Sequence, residues 1–153
     1  MSTTFTATIE HVTQSTTKAT VRSHTVLVDR VVAKGGLDLG PVGGEYMLVS
    51  LGGCFTSHFL AAIRAREAAV TNVRVAVTGT LDGTPERFTA FTMDVSAECP
   101  DPELARKLIT IAGRACQVVS TLRQVASVAI TYEGSAIELS EALAVTGPRS
   151  SGG

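Results

Sequence analysis

Tryptophan is absent from this 153-residue chain, and its aromatic side chains amount to two Tyr and five Phe. Proteins that hold single-stranded nucleic acid stack bases on aromatic rings above a basic groove. Neither ingredient is here: 13 Lys and Arg stand against 14 Asp and Glu, for a net charge of −1, and no basic block occurs. The composition therefore argues against nucleic acid or an anionic membrane as a partner. No uninterrupted apolar run approaches the roughly 18 residues that cross a bilayer. The opening residues, MSTTFTATIEHVTQ, lack the basic start, apolar run and small-residue cleavage site of a secretory signal. A reducing, cytoplasmic compartment is the expectation. Cys-x-x-Cys is missing too, and only Cys54, Cys99 and Cys116 are present. In such a compartment they read as free or catalytic thiols rather than a disulfide frame. Cys54 and His58 supply too few ligands for zinc, and His11 and His24 lie in strand-like segments, so neither metal nor cofactor is expected.

What is present is apolar aliphatic material: 44% hydrophobic residues and a mean hydropathy of +0.26. With no bilayer to enter, the excess is expected to pack against a partner subunit. The length suits one domain, taken as residues 1–145, with 146–153 (TGPRSSGG) read as a disordered tail. Thr- and Val-rich segments predict strands over Phe5–Val12 and Lys18–Val21, and a third over His24–Asp29, closed by a charge. A glycine-rich loop follows over Lys34–Gly44, then a long amphipathic helix from about Glu45 to Ala69. Val73–Leu81 and Phe88–Ala97 alternate around a GTPER turn and predict a hairpin. Asp101 as N-cap, Pro102 and Glu103 open a helix to about Ala112. A break at Gly113 leads to a helix near Cys116–Gln124, a strand over Ser127–Tyr132 and a short helix over Ser135–Ala144. Strands, helix, hairpin, helices and strand in that order describe an α+β fold rather than βαβ alternation.

Cys54 and Cys116 thus fall in two helical segments. A cysteine on an amphipathic helix is most simply a small buried hydrophobe. Gly52 and Gly53 immediately before Cys54 change that reading, since each costs a helix interior roughly 1 kcal/mol relative to Ala. A helix carrying that cost needs a close approach there, by another backbone or by a ligand. The thiolate, not the thiol, is the nucleophile, and a nearby cation favours it. His58, one turn beyond Cys54, shares its helix face and is one candidate; a hydrogen-bonded interface histidine is the plainer reading. Glu45 opens the helix, where the dipole favours a carboxylate in any case. It stands nine positions from Cys54, about 180° round the helix, so a second element must bridge the two. Lys18, Arg22 and Arg30 from the N-terminal strands are the available cations. Arg22 is preferred, because a guanidinium can pair with Glu45 and face a thiolate at once. Cys99, before Pro100 at a strand end, is read as structural.

Two segments resemble the OsmC/Ohr family of organic-hydroperoxide-reducing proteins. Gly40-Pro41-Val42-Gly43-Gly44-Glu45, followed by LVSLGGC ending at Cys54, is similar to the family's Gly/Pro loop, helix-opening Glu and reactive Cys. Arg114-Ala-Cys-Gln-Val-Val-Ser-Thr-Leu122 resembles its second signature, Arg-Ala-Cys-Pro-Val-Ser-Asn-Thr-Leu. Gly43 stands in place of a Pro, and so does Gln117, which frees the turn after Cys116. The resemblance implies antiparallel sheets around two long central helices in an intertwined homodimer. It implies Cys54 as the peroxidatic thiol, Cys116 as the resolving thiol, and Glu45 with an N-terminal Arg organising the thiolate. Its implied partners are an organic hydroperoxide and a dithiol reductant, of lipoyl type in some members, in an antioxidant stress response.

Three functions fit these residues. The leading one is a cysteine peroxidase, the second a dimer whose pocket holds a small apolar ligand, the third a redox sensor. Turnover with a dithiol separates the first from the others. The apolar excess itself predicts an obligate homodimer with a total interface above roughly 2,000 Å². Sedimentation at micromolar concentration should give a dimer, and a stable monomer would refute this reading.

Overall fold

The computed structural model describes residues 1–139; the expected tail, and the expected helix beyond 139, lie outside them. The fold is α+β, with two sheets and three α-helices among the described residues, and it divides into two compact units, Met1–Val49 and the chain from Ser50 onward.

The first unit is a three-stranded antiparallel sheet in the order β1 (Thr8–His11), β2 (Thr17–Val21), β3 (His24–Val28). After β3 the chain runs irregularly through residues 29–42, and one buried carboxylate holds it there. Asp29 accepts from the Thr16 hydroxyl at 2.9 Å, from Leu39 N at 3.1 Å and from Arg30 N at 2.7 Å. Its own N–H donates to Pro41 O at 3.2 Å. Burial by itself pushes this carboxyl up, but the backbone donors of Arg30 and Leu39, with Thr16, outweigh it and hold the group well below the usual carboxylate range. Helix α1 (Gly43–Ala65) begins in this unit. The Glu45 carboxylate reaches back to accept Val42 N at 2.8 Å, one half of a capping box, and the Tyr46 hydroxyl donates to Leu27 O at 2.6 Å.

The second unit joins the rest of α1 to a four-stranded sheet in the order β4 (Thr71–Asp82), β5 (Arg87–Glu98), β6 (Ser127–Tyr132), β7 (Ser135–Ile137). β4 and β5 form the expected hairpin. The sheet is not antiparallel throughout, as the resemblance implied: β5 and β6 run parallel, Ala90 facing Ser127 and Val95 facing Tyr132. Helices α2 (Pro102–Ala115) and α3 (Gln117–Leu122) form the crossover that a parallel pair requires. The chain expected to begin a helix at Ser135 begins with β7 instead, antiparallel to β6.

Both longer helices bury one stripe. On α1 it is Leu51, Phe55, Phe59, Ala62 and Ile63; on α2 it is Ala105, Leu108, Ile109 and Ala112, at helical spacing. α1 has a mean hydropathy of 1.4, enough by length and composition to cross a membrane, which a search for uninterrupted apolar runs overlooks. Three of its apolar side chains, Leu51, Phe55 and Phe59, are fully buried within the second unit, while Met47, Val49 and Leu60 are exposed. Asp101 caps α2, accepting Leu104 N at 3.2 Å, with Pro102 in the first turn as the sequence predicts. Gly113 does not break the helix. It is buried, and a Cβ there would lie 2.9 Å from Leu139 Cδ2 and 3.1 Å from Ile130 Cδ1. Close packing, not a turn, demands that glycine.

The glycine pair before Cys54 divides in the same way. A Cβ on Gly52 would stand 2.7 Å from Val77 Cγ2 of β4, so α1 lies against the sheet at a distance only glycine allows. A Cβ on Gly53 would meet nothing within 4 Å. Gly52→Ala should therefore destabilise the protein by about 1–3 kcal/mol through overpacking, reduced by its better helix propensity. Gly53→Ala should stabilise it by up to about 1 kcal/mol. Urea unfolding of the two variants checks the contrast, and equal effects would refute it. Asp29 generates a second expectation. A carboxyl held down in the folded state stabilises the fold above its unfolded pKa, about 3.9, and that contribution disappears as pH falls through and below that value. Asp29→Asn should unfold more easily than wild type at pH 7 and lose this part of the acid dependence, as urea melts at pH 7 and pH 3 would show.

Candidate active site

Cys54 lies one turn into the part of α1 that belongs to the second unit, half-buried, between the core residues Leu51 and Phe55. Cys116 is not inside a helix, as its motif suggested. It is the joint between two, with φ −74° and ψ 113°, serving as C-cap of α2 and N-cap of α3. Its N–H donates to Ala112 O at 3.0 Å, its C=O accepts Ser120 N at 3.0 Å, and its Sγ accepts Val119 N at 3.5 Å. That places the thiol in the core, fully buried.

The fold brings Cys54 and Cys116 together. Burial above all pushes the Cys116 thiol up to about 11; the Val119 N–H pulls against it, and the Cys54 thiol, as hydrogen-bond partner and neighbouring charge, raises it further. At neutral pH Cys116 is therefore a protonated thiol. The pair is unequal: Cys54 is half-buried and Cys116 fully buried. All three cysteines are free. Cys99 stands elsewhere, at the end of β5, where its S–H donates to Asp101 O at 3.0 Å and it neighbours the buried Tyr132. The structural reading of Cys99 fits that placement.

Gln117, which the sequence marked only as a substitution for proline, occupies the other side of Cys54. Its Oε1 accepts from Cys54 Sγ at 3.5 Å and lies 3.1 Å from His58 Nε2. His58 shares the Cys54 face of α1 as predicted, yet its hydrogen-bond partner is this amide. An isolated sequence gives little warning of such a contact, since it depends on which residue of α3 faces α1.

The remaining candidates belong to the first unit. Arg22 is not a strand residue: it lies in the turn between β2 and β3, exposed, with a left-handed φ of 55°. Lys18 pairs with Glu10 at 3.7 Å on the sheet surface. Glu45 caps α1 as described, and Arg30 follows the Asp29 anchor. Among the described residues no three His, Cys, Asp or Glu side chains converge as a metal-ligand set.

Chemically, the pair suits two-thiol redox work. A half-buried sulfur can meet an electrophile, and a neighbouring buried thiol can condense with the oxidised product. The family model described as OsmC-like protein matches residues 35–131, more than half of the chain and both cysteines. No curated protein matches. Among solved structures, the chain is similar to an OsmC-like protein from Mycoplasma pneumoniae, at 16% identity and a TM-score of 0.74 over 86% of this chain and 99% of that one. It is similar to an organic hydroperoxide resistance protein OsmC from Legionella pneumophila, at 16% identity and 0.67 over 85% and 96%. It also resembles the organic hydroperoxide resistance protein OhrB of Bacillus subtilis, at 17% identity and 0.65 over 86% and 98%.

Proposed function

The chain belongs to the OsmC-like protein family, and on that footing we propose that it is a thiol peroxidase that reduces organic hydroperoxides. The observation that carries this reading is the unequal pair, a half-buried Cys54 neighbouring a fully buried Cys116. In the proposed cycle the Cys54 thiolate attacks the terminal oxygen of ROOH. The O–O bond breaks, ROH leaves after taking up a proton, and Cys54 becomes a sulfenic acid. The Cys116 thiol then condenses with it, forming the S–S bond and releasing water. A dithiol reduces the disulfide by exchange through a mixed disulfide and leaves as its own cyclic disulfide.

The burial of Cys116 suits the second step. As a protonated thiol it does not compete for the first equivalent of hydroperoxide, yet it needs no diffusion to reach Cys54. Names of similar proteins support hydroperoxide as the substrate class. In the same reading the working unit is a cytoplasmic homodimer, the reductant is of lipoyl type, and the cycle draws on thiols alone. Arg22 and Glu45 keep the roles that the resemblance implies, as the charge organisers of the thiolate. Glu45 lies within the span matched by the family model, and Arg22 lies outside it.

Stoichiometric hydroperoxide should produce a Cys54–Cys116 disulfide within one chain, visible by peptide mass mapping. Cys54→Ser should abolish hydroperoxide consumption. Cys116→Ser should leave a sulfenic acid at Cys54 that a dimedone-type probe traps, with little turnover, and Cys99→Ser should leave the rate unchanged. Arg22→Ala should raise the pH at which Cys54 reacts with iodoacetamide. If Cys99→Ser stops turnover while Cys116→Ser does not, the resolving thiol is misassigned; an unmoved profile in Arg22→Ala removes Arg22 alone.

A further inference from the structure

Position 117 is the first residue of α3. That is where proline is tolerated best, because a first-turn N–H has no partner inside the helix and the ring presets the helical φ. Replacing the family's proline by glutamine therefore leaves the helix start intact. What it adds is a side chain, and the fold aims that side chain at Cys54. Gln117 Oε1 receives the Cys54 thiol at 3.5 Å and faces His58 Nε2 at 3.1 Å.

We infer that Gln117 is a positioning residue that holds the Cys54 sulfur beside Cys116 as thiol and as thiolate, with His58 steadying its amide. In the arrangement described, the oxygen can only accept, so the thiol S–H and an imidazole Nε2–H both donate to it. Once the thiol proton has left, an oxygen facing the sulfur would be repulsive. A half-turn of the amide brings Nε2 to the sulfur instead. One N–H then donates to the thiolate and the other to His58 Nε2, whose ring now carries its proton on Nδ1. Proline offers neither arrangement. Among the described residues, the ionisable side chains shown to interact with Cys54 or this amide are Cys116 and His58. Both α1 and α3 are needed: His58 shares the Cys54 face of the first, and Gln117 opens the second.

The purpose of this arrangement rests on the peroxidase reading, but its test does not, since alkylation needs no hydroperoxide. Iodoacetamide labelling of Cys54 in the reduced full chain, followed by peptide mass spectrometry, is the measurement. Gln117 is exposed, so its variants are expected to fold. Gln117→Met, of similar length and unable to donate to the sulfur, should slow Cys54 labelling by about tenfold, the weight of one hydrogen bond to a charged group. Gln117→Glu, nearly isosteric and unable to donate when ionised, should move the pH profile of labelling upward, a shift that loss of packing alone would not produce. His58→Ala should slow labelling in the same direction by less, and the Gln117→Met/His58→Ala double variant should be no slower than Gln117→Met. Independent action would multiply the two effects. Wild-type labelling in both Gln117 variants, or multiplied effects in the double variant, would overturn the inference while leaving the peroxidase reading intact. Conversely, slowed labelling in the Gln117 variants together with a wild-type protein that consumes no hydroperoxide would defeat the peroxidase reading and leave the role of Gln117 standing.

Discussion

The chain has to stop being helical at Cys116, and the arrangement of the thiols follows from that interruption. One residue closes α2 through its N–H and opens α3 through its C=O and its sulfur. Extended backbone at the joint sends Cys116 into the core, while the next residue, Gln117, emerges on the exposed side. Two adjacent residues can then address the same partner thiol from different surroundings, one dry and one wet. A helix continuous through this point would have removed the sulfur from its capping role and turned the amide elsewhere.

The partner thiol is fixed by a different constraint. α1 is laid on β4 so closely that Gly52 has no room for a Cβ against Val77. Two residues on, Cys54 inherits that fixed height above the sheet. Phe55 and Phe59, with ring centroids 6.1 Å apart and both fully buried, prevent the helix from rolling about its axis. Thus the half-buried sulfur sits on a part of α1 that close packing holds in place.

Much of this was legible in the sequence because it is written locally. Alternation gave β4 and β5, Asp101-Pro102-Glu103 gave the start of α2, and Ser127–Tyr132 is the strand expected. The two cysteine motifs carried the family, and Gly52 announced its close approach. What the sequence did not show depends on neighbours distant along the chain. Periodicity identifies β6 as a strand but says nothing of its partner, so its parallel pairing with β5 was missed. A glycine that breaks a helix and one that lets a leucine approach look alike, which misplaced the interruption from Cys116 to Gly113. Arg22 sits in a left-handed turn that Thr- and Val-rich flanks conceal. HTVLVD closes on a charge, but only the fold reveals that Asp29 is buried and gathers three donors. Gln117 registered as a missing proline rather than as an added amide.

Parallel pairing of β5 and β6 also has a temporal side. A parallel contact cannot form by turning the chain back on itself; the whole α2–α3 crossover must close before Ala90 finds Ser127. Cys116 rides on that crossover, and the last turn of α2, just before it, is packed at Gly113 by Ile130 of β6 and by Leu139. The two thiols become neighbours by way of that crossover, so bringing them together belongs to the completion of the sheet.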